Sequence, residues 1–280
     1  MWLGALTYER LEMKVQTIFS LLADNQNDWE KVFWMWMCRC MGLKVNAEAF
    51  HELGEKLPIS LLKKYRSDTL KIEAIFFGTA GFLSNDEEDE YAKLLHNEFV
   101  YQQGAHGIEV VSGEWKKLRM RPYNFPELRL AQLVTLFTDK SLSFSKILDL
   151  ENLEDARSLF HIEQLTTYWK SRFLPRGKER TAYSGRIGKG TIDILIVNLV
   201  VLFLFAYGKY YGIERYIERA TYFLEMLPVE KNAIIKRFGE FDWHAENAAQ
   251  SQAILQLKKM YCDKRRCLHC RIGAEILRGV

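Results

Sequence analysis

Three cysteines near the end of the sequence have a spacing that can hold a metal. Cys262, Cys267 and Cys270 are separated by four and two intervening residues, so their sulfurs can converge from one turn onto zinc or an iron–sulfur cluster. Lys264, Arg265, Arg266 and Arg271 flank them, and positive neighbours favour the thiolate form that binds metal. Three sulfurs are one short of a closed tetrahedral site. His269 or His244 can supply the fourth ligand, as can a segment outside this chain. Plain thiols are the bland alternative, because buried free cysteines are ordinary, and a disulfide is a third. Cys40 falls on an apolar helical stripe with Trp29, Val32, Phe33, Trp36 and Met37, and the pair Cys38 and Cys40 reads as core.

The second chemical signal is clustered positive charge. Lys116, Lys117, Arg119 and Arg121 alternate with aromatics in the run 115–126, and Arg172, Arg176, Lys178, Arg180, Arg186 and Lys189 crowd the run 171–190 against one acid, Glu179. Net charge is only +3, so clustering alone argues for a phosphate-bearing partner. The glycine-rich stretch 185–191 is not a P-loop, since its spacing is wrong and Gly190 stands where serine or threonine is needed. Where it opens a helix, free amides and Lys189 can still receive an anion. The acidic run 85–90 reads as a capped first helical turn rather than a cation site. Six histidines are scattered with no nucleophile pattern around them, so no catalytic residue is assigned and the chain alone does not read as an enzyme.

These loops need a scaffold, and periodicity supplies one. Residues 191–207 are apolar on every face apart from Asp193 and Asn198, which is the pattern of a helix enclosed by other helices. Seventeen residues reach roughly 25 Å, short of a bilayer's ~30 Å core, so no membrane span is expected. Thr191 is placed as the N-cap, with Asp193 in the first turn. Amphipathic runs at 8–23, 28–41, 46–56, 59–65, 69–83, 85–103, 124–137, 213–226, 230–238 and 245–260, with no spaced strand signals, predict an all-α multi-helix bundle around that buried central helix. One domain over 1–280 is expected, with a sub-boundary near 104–115. No export signal opens the sequence and the cysteine count, five, is odd; a reducing, cytoplasmic setting is expected.

The phrases at 73–83, 119–126 and 256–262 carry a resemblance. The chain resembles an uncharacterised bacterial family, domain of unknown function 2851, over most of its length. The resemblance implies the helical C-terminal part of that family, whose longer members carry an upstream segment that looks like a metal-dependent nuclease core; none of its catalytic residues maps onto this chain. The expected function is therefore a helical accessory module, associated with nucleic acid through the two basic loops and with a nuclease-like domain as partner. The alternative is a protein-interaction or scaffold module whose basic loops meet an acidic protein surface. Oligomeric state is not legible.

Overall fold

The computed structural model describes residues 2–84, 89–172 and 185–278, and the apolar segment at 191–207 sits in it within a continuous helix, Lys189–Tyr211. Its start differs from expectation. The amides of Thr191 and Ile192 both donate to the Gly188 carbonyl (2.8 and 3.0 Å), so the first turn forms three residues earlier and Thr191 is not the cap. Asp193 consequently lies past the first turn, where Arg157 donates to its Oδ1 from Nε and Nη2, each at 3.1 Å. The other polar interruption, Asn198, accepts from Lys14 Nζ at 2.8 Å. From Leu195 to Ala206 every side chain except Asn198 is buried. At 23 residues the helix is about 34 Å long, which overturns the length argument against a span. It is long and apolar enough to cross a membrane, but two-thirds of its most apolar window is buried within the protein, as in the core helix of a globular fold.

The protein is all-α, with no strand among the described residues. Its contacts resolve two compact units: Met1–Gln26, Leu150–Asp155 and Ile196–Val280 form one, Asn27–Asp149 and Ala156–Leu195 the other. The division falls inside the long helix, where the Ile196–Val200 turn widens to a π-helix; residues 104–115 lie within the second unit.

In the first unit the Trp2–Asp24 helix packs on Ala248–Gln256 and on Val201–Tyr211, which in turn packs on Glu214–Met226. A polar seam marks the first of these pairings. Buried Arg10 donates to Gln252 and Gln252 to Glu230; Thr7 Oγ1 donates to the Ala249 carbonyl at 2.8 Å. Gly208 permits the approach of the Glu214–Met226 helix, because a Cβ there would stand 2.8 Å from Ile217 Cγ1.

The second unit has its own enclosed helix. Pro126–Thr138 is buried at every position from Pro126 to Phe137, with Thr69–Thr79 and Trp29–Met41 against it. Asp28 caps Trp29–Met41 by accepting from Lys31 N at 3.0 Å, and Asp68 caps Thr69–Thr79 by accepting from Lys71 N at 3.2 Å. Gly78 lets the Glu90–His106 helix close in, for a Cβ there would lie 2.0 Å from the Phe99 ring. Deep in this unit Glu73 is fully buried and accepts from Tyr91 Oη at 2.8 Å and Thr166 Oγ1 at 2.7 Å. Burial lifts its carboxyl above the ordinary range, against the pull of those two donors.

Candidate phosphate interface and cysteine knuckle

The basic run at 115–121 is irregular in backbone yet fastened at several points. Glu52 accepts the Ser112 and Gly113 amides (2.8 and 3.1 Å), which hold its carboxyl down at about 2. Trp115 Nε1 donates to the Ala80 carbonyl at 2.8 Å, and its ring packs on Phe50 and Phe82, both 4.9 Å away. Asn46, almost wholly buried, grips Lys116 in both senses: Nδ2 donates to the carbonyl at 2.9 Å, and Oδ1 accepts from the amide at 2.8 Å. Lys117 reaches inward to the buried carboxylate of Glu127. Burial raises the Glu127 carboxyl, and Lys117 pulls it the other way.

What this framework presents is a tight turn. Met120 N donates to the Lys117 carbonyl at 3.1 Å, leaving Leu118 and Arg119 at the tip, with Leu118 85% exposed. Arg119 has φ +61°, a left-handed conformation that costs a side-chain-bearing residue about 1 kcal/mol and usually falls to glycine or asparagine. Lys116, Arg119 and Arg121 are exposed, and none of the three forms an ion pair among the described residues. Tyr123 is half exposed beside them.

A buried relay ties this run to the glycine loop before the long helix. Arg129, on the first turns of Pro126–Thr138, donates through Nη2 to Asn124 Oδ1 at 2.6 Å and through Nη1 to Gln132 Oε1 at 3.1 Å. Gln132 Nε2 then donates to the Gly185 carbonyl at 2.8 Å. Gly185 sits at φ +68°, and a Cβ there would lie 2.1 Å from Leu165 Cγ. The two loops are thereby anchored on neighbouring turns of one helix, and Arg186 and Lys189 follow exposed. Other expected members of the cluster stand differently. Arg172 pairs with Asp89 at 3.2 Å and lies 4.8 Å over the Tyr168 ring; Lys117 is engaged by Glu127; Arg176, Lys178 and Arg180 lie outside the described residues. The residues that sequence reasoning missed are the supports, Asn46, Glu127, Arg129 and Gln132. The polar residues at 127, 129, 132 and 135, recurring along a helix whose remaining positions are mostly apolar, were the available signal.

The first unit carries the cysteines. The Ala248–Gln256 helix runs into a π-helical turn, Leu257–Cys262, and the chain then reverses through a one-turn 3₁₀ segment, Cys267–His269, into the Arg271–Arg278 helix. Arg265 N donates to the Cys262 carbonyl and Cys270 N to the Cys267 carbonyl, both at 3.1 Å. Gly273 lets the last helix press on this knuckle, since a Cβ there would stand 2.2 Å from the Cys267 carbonyl oxygen. Cys262 and Cys267 are exposed and Cys270 is buried. The Cys262 thiol is pushed up, first by partial desolvation and then by Cys270 and Cys267, with Lys258 pulling the other way. His269 and Cys270 line a cavity of about 250 Å³ together with Glu9, Leu257, Tyr261 and Ile272. His244 lines a different one, beside Gly239 and Trp243. No three Cys, His, Asp or Glu side chains among the described residues are close enough to share an ion as they stand. Cys38 is fully buried, as expected of core, whereas Cys40 is only partly buried.

Residues 1–233 match the family model described as Protein of unknown function (DUF2851). The chain belongs to the DUF2851 family. The match takes in both basic loops and ends before the cysteine knuckle, so for this DUF2851 chain the knuckle is read from its own residues. No curated protein and no solved structure matches it.

Proposed function

We propose that this chain is a helical, nucleic-acid-associated module that grips a phosphate backbone with Lys116, Arg119 and Arg121, flanked by Arg186 and Lys189, and serves as accessory to a nuclease-like partner. The observation that carries the reading is Arg119: a cation held at a strained, left-handed turn position, on a loop fastened from beneath by Asn46, Trp115 and Lys117. Strain retained at an exposed tip is a pointer to use, and a rigid tip loses little entropy when it binds. Anisotropy of a labelled oligonucleotide, titrated at several salt concentrations, tests it. Each phosphate contact releases counterions, so replacing Lys116, Arg119 and Arg121 together by alanine should make the slope of log affinity against log salt shallower by about 2 to 3. Absence of binding at low salt would sink the reading.

A protein-interaction module is the second reading, supported by Leu118, whose 85% exposure puts an apolar knob among the cations. On that reading Leu118→Ala weakens capture of an acidic protein partner. On the phosphate reading the same change leaves the salt slope intact.

A further inference from the structure

We propose that Cys262, Cys267 and Cys270, with His269 as fourth ligand, form a site for one zinc ion, and that loading draws the 262–270 knuckle closed. The site is independent of the phosphate-binding reading and lies outside the residues, 1–233, that match the family model.

All four donors sit in a nine-residue loop already folded back on itself by the Arg265-to-Cys262 and Cys270-to-Cys267 backbone bonds. The pressure of the last helix at Gly273 fixes where Cys267 lies. His269, rather than His244, shares a cavity wall with Cys270, which resolves the choice the sequence left open. Charge supplies the second argument. Lys259, Lys264, Arg265 and Arg266 surround the knuckle, and its acid, Asp263, is engaged by Lys258. Such a concentration of cations around neutral thiols repels itself. Three thiolates, a neutral imidazole and Zn²⁺ carry a net charge of −1, which turns the same cations into counterions. Binding proceeds with loss of three thiol protons to solvent, so affinity rises with pH. Three cysteines and a histidine complete a zinc tetrahedron, whereas iron–sulfur clusters ordinarily take four cysteines.

The test is elemental analysis of the full chain purified without oxygen or added metal. About one equivalent of zinc is expected. Cobalt substitution should give the sulfur-to-cobalt charge-transfer and d–d bands of a tetrahedral thiolate site. Cys262→Ser and Cys267→Ser, both exposed positions that leave packing undisturbed, should each lose the zinc and the cobalt bands while helicity is kept. Cys38→Ser and His244→Ala should retain both, and His269→Ala should weaken zinc binding and alter the cobalt spectrum. Zinc below about a tenth of an equivalent, iron in its place, or a Cys267–Cys270 disulfide found by mass under anaerobic conditions would each overturn the proposal. Unchanged zinc affinity and cobalt spectrum in His269→Ala would overturn the fourth ligand.

Discussion

Replacing Glu73 by alanine takes away the acceptor on which Tyr91 and Thr166 converge, and so loosens three segments of the second unit at once. Each net hydrogen bond is worth about 0.5–1.5 kcal/mol, and a half-buried hydroxyl left without a partner costs about 1 kcal/mol more. Two such donors, offset by relief of a buried carboxyl, give a loss of about 2–4 kcal/mol. At roughly 2–4 °C per kcal/mol for a unit of this size, the melting point should fall by roughly 4–16 °C. Glu73→Gln keeps the shape, and the hydroxyls can turn to suit its amide, so it should stay within about 1 kcal/mol of wild type. The pH dependence separates the two ideas of what Glu73 does. Its folded carboxyl titrates above the unfolded one. Below the unfolded value, about 4.3, both states hold the proton and its contribution is fully present; as pH rises toward the folded value, the unfolded chain ionises first and stability drains away. Glutamine does not titrate, so Glu73→Gln should gain on wild type from about pH 4 upward. Urea denaturation at a series of pH values measures this. A glutamine variant as damaged as alanine, or a wild-type-to-glutamine difference flat in pH, would refute the reasoning.

Other consequences are as specific. Arg119→Gly removes a charge but relieves a left-handed backbone, so stability should hold or rise by up to about 1 kcal/mol while the oligonucleotide salt slope falls by about 1; scanning calorimetry and the anisotropy titration read the two separately. Asn46→Ala releases both bonds to the Lys116 backbone; a loss of about 1–3 kcal/mol is expected, with trypsin cutting at 116–121 much earlier than in wild type. Gly78→Ala drives a methyl into the Phe99 ring and should cost about 1–3 kcal/mol by urea melt.

How far the fold could be read ahead depended on where each element's partners lie. The helix at 191–207 was legible because its apolar residues need no knowledge of their neighbours. Its true start was not, because the chain already turns helical at Lys189, ahead of the Thr191 hydroxyl that reads as the cap. Nor was its end, since Gly208 and Lys209 read as a stop but continue the helix to Tyr211 with Ile217 tucked over Gly208. The enclosure of Pro126–Thr138 stayed hidden for the opposite reason. Glu127, Arg129, Gln132 and Thr135 look like a solvated face until Lys117, Asn124 and Gly185 arrive from elsewhere in the chain. Basic residues were countable in the sequence, but which of them are engaged was not: Asp89 lies more than eighty positions from Arg172. The cysteine spacing was plain, whereas which histidine shares a cavity wall with Cys270 was not.

The seam between the Trp2–Asp24 and Ala248–Gln256 helices bears on how the protein is made. Thr7 and Arg10 meet Ala249 and Gln252, 242 positions later in each case. A ribosome adding about 5–20 residues per second takes roughly ten to fifty seconds to bridge that interval. Throughout it the Trp2–Asp24 helix has an oily stripe of Leu11, Val15, Ile18 and Leu22 and no Ala248–Gln256 helix to dock against, while Asn27–Asp149 is made in between. The apolar stripe of the Trp2–Asp24 helix thus stays without this late-made neighbour until the end of that interval.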